Sequence, residues 1–118
     1  MTSDAAEPYY LRDNVLHCAS GASVTFEYPI RQVLDYNDVF VVLVRSPIGG
    51  AIYNENVFGV SKRGEIVWRV PRFEWVKGNS PYTEMHKSGD LVRLWNYRCT
   101  NIFLDPLTGR FIREEMSH

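Results

Sequence analysis

Two stretches of the chain read almost alike without a gap. Asn56-Val57-Phe58 leads through five residues to Gly64-Glu65-Ile66-Val67, and Asn101-Ile102-Phe103 leads through five to Gly109-Arg110-Phe111-Ile112. The offset is 45 residues. Each copy is an apolar run, a polar turn ending in Gly, and a second apolar run, which is the pattern of a β-hairpin. A third stretch, Asn14-Val15-Leu16 through Phe26, matches after one deletion in its turn. A second echo lies between the hairpins. Pro29 precedes Asp38-Val39 by nine residues, and Pro81 precedes Asp90-Leu91 by the same nine. The implied unit is a four-stranded antiparallel meander, used about twice, with another half unit at residues 14–27.

Composition agrees with strands. Aromatic residues make up 14% of 118, alongside many Val and Ile. These side chains suit a pleated, half-buried surface. Charged residues at 23% exclude a disordered chain. The expected fold is all-β, an antiparallel meander of about 8–10 strands packed as a sandwich or small barrel. Residues 1–8 and 114–118 read as tails around a single domain at 9–113.

Along the chain, Val39-Phe40-Val41-Val42-Leu43-Val44 is too short for a helix and rich in β-branched residues, so it reads as a central strand buried on both faces. Residues 30–36 read as a strand with Ile30, Gln32 and Leu34 on one face. Glu65 to Val70 alternates, with Ile66, Trp68 and Val70 together. Trp68 and Trp95 sit among apolar neighbours and read as core.

With its Gly-Glu-Ile-Val-Trp and Asp-Pro-Leu-Thr-Gly-Arg-Phe-Ile endings, the unit resembles a blade of a β-propeller. It is most similar to the outer hairpin of quinoprotein-like (PQQ-type) repeats, over Pro29–Trp68 and Pro81–Ile112. The resemblance implies blade-like sheets. About ten strands fall short of the four to eight blades of a closed ring, and no residue matches that family's cofactor or metal motifs.

Net charge is −1 overall, but residues 1–61 carry −4 and residues 62–118 carry +3. Neither a polyacid nor a strongly basic nucleic-acid binder is indicated. Nothing before Cys18 has the basic and apolar regions of a leader, and no apolar run approaches a membrane span. The expectation is a cytoplasmic protein with reduced Cys18 and Cys99, a disulfide between them being the alternative if a leader was removed.

No motif for chemistry emerges. His17 and Cys18 are consecutive, so on a strand they point to opposite faces and cannot pair. His17, His86 and His118 are scattered, no Cys-x-x-Cys occurs, and Gly49-Gly50 lacks a phosphate-loop pattern. The expectation is therefore no cofactor, no metal and no catalysis. Clusters of Arg with aromatics remain, and these residue types dominate protein interfaces. Arg69, Arg72, Phe73, Trp75 and Lys77 border the long loop Pro71–Pro81, and Tyr97 with Arg98 precede the last hairpin. They nominate a protein-binding module, monomeric or a small homo-oligomer, of which a bacterial toxin-neutralising immunity protein is one version. The alternative is a nucleic-acid or anionic-ligand binder using the basic C-terminal half.

Overall fold

The computed structural model describes residues 8–47, 49, 52–73, 78–96 and 100–116. Among these residues eleven strands form three antiparallel sheets. The first sheet holds β1 (Tyr9–Arg12), β2 (Val15–Cys18) and β3 (Ser23–Thr25). The second, central sheet holds β4 (Ile30–Tyr36), β5 (Val39–Val44), β6 (Val57–Ser61) and β7 (Ile66–Arg69). The third holds β8 (Tyr82–Ser88), β9 (Leu91–Asn96), β10 (Thr100–Leu104) and β11 (Phe111–Met116). In each sheet the strands lie side by side in chain order, so each is a meander. The expected all-β meander is present, as an open stack of three layers rather than a barrel or a two-sheet sandwich. The C-terminal strand β11 continues through Met116, which pairs with Thr100, so residues 114–116 belong to the domain and not to a tail.

The central sheet is buried on both faces, as β5 shows. All six of its residues are buried. Phe40, Val42 and Val44 enter a core with Leu16, Cys18, Val24 and Phe26 of the first sheet's side. Val41 and Leu43 enter a second core with Met85, Val92, Leu94, Ile102 and Leu104 of the third sheet. A period of two feeds two cores from one strand, and the run has no polar residue because neither face meets water.

The repeated glycine turns do equivalent work. Gly64 and Gly109 both adopt positive φ, at 84° and 73°, which Gly does without steric cost. A Cβ on Gly64 would lie 2.7 Å from Cβ of Ala22, in the β2–β3 turn. A Cβ on Gly109 would lie 2.5 Å from the Trp68 indole. Each glycine turn thus packs against the preceding sheet. Trp68 is held on both sides, since a Cβ on its cross-strand partner Gly59 would fall 2.1 Å from its Nε1. That N–H donates to the Pro106 carbonyl at 2.8 Å. The indole is core, as expected, and it locks the third sheet to the second.

Three sequence expectations give way to local geometry. Ile30 pairs with Val44 and Gln32 with Leu43, so Arg31 is an extra, bulged residue. The bulge turns Ile30 to the same core as Val33, while Leu34 and Tyr36 join the opposite one. Likewise Val60 pairs with Ile66 and Gly59 with Trp68, which leaves Val67 bulged and Ile66 49% exposed rather than packed beside Trp68. Trp95 pairs across the sheet with Glu84 and Asn101, on the face of β9 opposite core residue Leu94, and is only partly buried.

Candidate functional site

The nominated loop residues do not form one surface. Arg69 leaves β7 on the side of the first sheet. Its guanidinium lies 4.9 Å from the Phe58 ring centre and 5.4 Å from that of Tyr53, and its Nε donates to the Glu55 carbonyl at 2.7 Å. Burial raises the Tyr53 hydroxyl pKa above its ordinary value, an effect Arg69 opposes. Arg72 and Phe73 instead line a depression of about 340 Å³ with Ile52, Asn54, Glu55 and Gly78. Phe73 is anchored in it, packed on the core between the second and third sheets and edge-on to Phe111 at 5.3 Å. Ile52, 63% exposed, and Arg72 stand at its rim. Trp75, Lys77, Tyr97 and Arg98, together with Cys99, lie outside the described residues.

A different arrangement, not nominated from sequence, runs along β8. Three side-chain amides of the second sheet and its loop pair two-handedly with main chain there. Asn54 donates to Gly78 O and accepts from Ser80 N, both at 2.7 Å. Asn56, fully buried, donates to Tyr82 O at 2.8 Å and accepts from Tyr82 N at 3.0 Å. Gln32 donates to Met85 O at 2.8 Å and accepts from Met85 N at 3.1 Å. An amide side chain carries the same donor and acceptor as a peptide. Together they act as a discontinuous neighbouring strand, Asn56 and Gln32 along the outer edge of β8 and Asn54 along the segment that leads into it. Asn56 also donates to Val44 O at 2.9 Å, tying the end of β5 to the same point. Burial pushes the Tyr82 hydroxyl well above the ordinary phenol range, with Glu55 adding to the effect.

The edge of β1 contrasts with this. When the repeated Asn14, Asn56 and Asn101 are aligned, β2 corresponds to β6 and β10, and β3 to β7 and β11. Strand β1 then corresponds to β5 and β9, and among the described residues the first sheet has no strand equivalent to β4 or β8. Ala19 N donates to Pro8 O at 3.0 Å, which makes Pro8 and Ala19 a hydrogen-bonded pair. By antiparallel alternation, Tyr10 and Arg12 bond inward to β2, while Tyr9 and Leu11 point their N–H and C=O away from it. Among the described residues no strand pairs with that side. Tyr10 and Leu11 are 59% and 39% exposed.

Reactive groups are occupied or buried. The Cys18 thiol is free and buried, and desolvation raises its pKa against a smaller lowering by Lys62. His17 stacks on Tyr10 with ring centres 4.4 Å apart, and His86 contacts Glu84 at 3.2 Å. Among the described residues no group of three or more His, Cys, Asp and Glu is placed to hold a metal, and no helix is long and apolar enough to cross a membrane.

No curated protein matches the chain in sequence. A family model described as a domain of unknown function (DUF7957) matches residues 8–116, essentially the whole three-sheet fold, and the chain belongs to that family.

Proposed function

We propose that this domain binds another protein, and that it does so by taking an extended segment of the partner as a fourth strand beside β1. The observation that supports the reading is the incomplete first sheet. Among the described residues two sheets built on the repeat have four strands and the first has three, and the position with no described strand borders the outward N–H and C=O groups of Tyr9 and Leu11. Strand addition at a free edge draws affinity from main-chain bonds and specificity from the side chains beside it. Here Tyr9, packed edge-on to Phe40 at 5.2 Å, and the exposed Tyr10 and Leu11 flank the incoming strand. Natural edges are usually blunted by charge, proline or cover. Here Pro8 and the exposed Arg12 bound the strand, and the stretch between them, Tyr9 to Leu11, carries no charge.

The test removes one donor and nothing else. Cys18 permits chemical ligation of a synthetic segment 1–17 to the remaining chain, so Leu11 can be given an N-methyl group. The N–H of Leu11 makes no bond within the sheet, so the fold is expected to survive. Wild-type and N-methyl-Leu11 proteins are used as bait in lysate of the source cells. A stoichiometric partner held by the wild type and lost on methylation supports the reading. A partner retained by the methylated protein, or recovery of bait alone, contradicts it. Sedimentation at increasing concentration checks self-pairing, and a dimer abolished by methylation would make the added strand a second copy's β1.

A further inference from the structure

The two repeated Pro positions mark a second feature, away from the edge of β1. Arg31 follows Pro29 by two residues and is the bulged residue of β4. Thr83 follows Pro81 by two residues. Tyr82 pairs with Asn96 and Glu84 with Trp95, so Thr83 is the bulged residue of β8. The repeat thus places equivalent bulges in two strands that pack on each other. A bulge re-aims its side chain out of the regular alternation. Arg45, whose N–H donates to Pro29 O at 2.7 Å, follows the strand paired with β4. Arg31, Arg45 and Thr83 line one recess of about 210 Å³ with Pro47, Pro81 and Tyr82.

The chemistry of this recess is unbalanced. Lys62 pairs with Asp35, Arg113 with Glu115, and Arg69 with the Glu55 carbonyl. Among the described residues the guanidinium groups of Arg31 and Arg45 have no hydrogen bond or ion pair, and no carboxylate lines the recess. The Thr83 hydroxyl is buried without a hydrogen-bond partner, as is that of the adjacent Ser80. Unmet buried hydroxyls are uncommon and call for a partner.

We infer that the recess binds a phosphate group. Two guanidiniums match the charge of a phosphate monoester and can each engage two of its oxygens, and a rotation of Thr83 about χ1 turns its hydroxyl, closed to solvent in the free protein, toward a third. The bulges serve to bring an Arg and a Thr from separate sheets to one anion. The phosphate can be free or carried on a side chain, and the test separates these sources.

The full-length protein, labelled with nitrogen-15, is titrated near neutral pH and constant ionic strength with inorganic phosphate, O-phosphoserine and acetate in turn. Amides of Arg31, Arg45 and Thr83 and the two Arg Nε–H signals are followed. Saturable shifts confined to these residues are expected with phosphate or phosphoserine. Tighter binding of phosphoserine assigns the site to a modified side chain, and equal or tighter binding of phosphate assigns it to the free ion. Arg31→Gln and Arg45→Gln each weaken binding about 10-fold or more, as expected for a lost charge-assisted bond. Arg45→Lys, which keeps charge but loses the fork, weakens it less. Both arginines are exposed, so these variants keep the wild-type thermal midpoint. Shifts that fail to saturate, that appear equally at Arg63 and Arg110, or that acetate reproduces at the same concentration overturn the inference.

Discussion

The molecule has two comparable edge strands that meet opposite fates. On the outer side of β8, the main chain at Tyr82 and Met85 is taken by the amides of Asn56 and Gln32. On the outer side of β1, Tyr9 and Leu11 present the same groups and no described residue takes them. Among the described residues the chain therefore closes the edge of β8 with side-chain amides and leaves that of β1 without such a cover. Burying Asn56 is tolerable because all of its polar valences that face the third sheet are met; without those bonds it would cost a few kcal/mol. The difference ties β8 into the domain's frame, and it is what supports the proposal that β1 receives a partner's strand. It also implies unequal layers. The third sheet is held to the second by side-chain amides and the Trp68 N–H in addition to an apolar core, whereas the first packs on it through Leu16, Val24, Phe26 and other apolar contacts with a main-chain bond from Ile30 N–H to the Asp13 carbonyl.

The largest expected effect tests the closed side. Trp68→Ala empties the slot between Gly59 and Gly109 and deletes the bond to Pro106. It should cost about 3–5 kcal/mol, read from the denaturant midpoint. A cost below about 1 kcal/mol would show that the third sheet does not depend on this lock. Asn56→Ala comes next. It orphans Tyr82 N–H, Tyr82 C=O and Val44 C=O, and should cost about 3 kcal/mol. Gln32→Ala leaves a partly buried site and should cost about 1–2 kcal/mol, while speeding exchange of the Met85 amide. If that amide is unchanged, the amide cover of β8 is incidental.

Alkaline pH sharpens the same comparison. Tyr82 beside Asn56 has a raised folded-state pKa, caused first by burial. The unfolded tyrosine ionises near its ordinary 10.0, while the folded one keeps its proton. Its stabilising contribution is complete below pH 10.0 and is lost as pH rises beyond it. Tyr82→Phe should therefore lose less stability than wild type between neutral pH and strong alkali, measured by urea melts at each pH. The smallest effect on stability belongs to the open side. Leu11→Pro removes an outward N–H only, and proline is tolerated on such an edge. It should shift stability by about 1 kcal/mol or less while abolishing partner capture. A large loss of stability would place the Leu11 N–H inside the fold.

Much of the architecture was legible in the sequence. The glycine hairpins and the doubly buried β5 follow from local periodicity and turn chemistry, which act within a few residues. The bulges at Arg31 and Val67 were not legible, because they shift register without changing composition, and they misplaced Ile30 and Ile66. Trp95 was misread because apolar neighbours in sequence do not say which face of an outer sheet meets solvent. The amides along β8 depend on pairs such as Gln32 and Met85, 53 residues apart. A clue existed even so: Asn recurs at the head of each hairpin at 14, 56 and 101, and Asn56 is the one that reaches across sheets. The interface residues nominated from composition were separated for the same reason. Arg69 and Arg72 are three apart in sequence, yet Arg69 lies over Tyr53 and Phe58 while Arg72 lines the depression beside Phe73.

Amide hydrogen exchange on the folded protein, resolved residue by residue, compares the two edges most directly. The amides of Tyr82 and Met85 are predicted to exchange slowly despite sitting on an edge strand, and those of Tyr9 and Leu11 to exchange fast in the free protein. Slow exchange at Tyr9 and Leu11 in the isolated monomer would mean that this edge is already covered, and would contradict the claim that the first sheet awaits a strand.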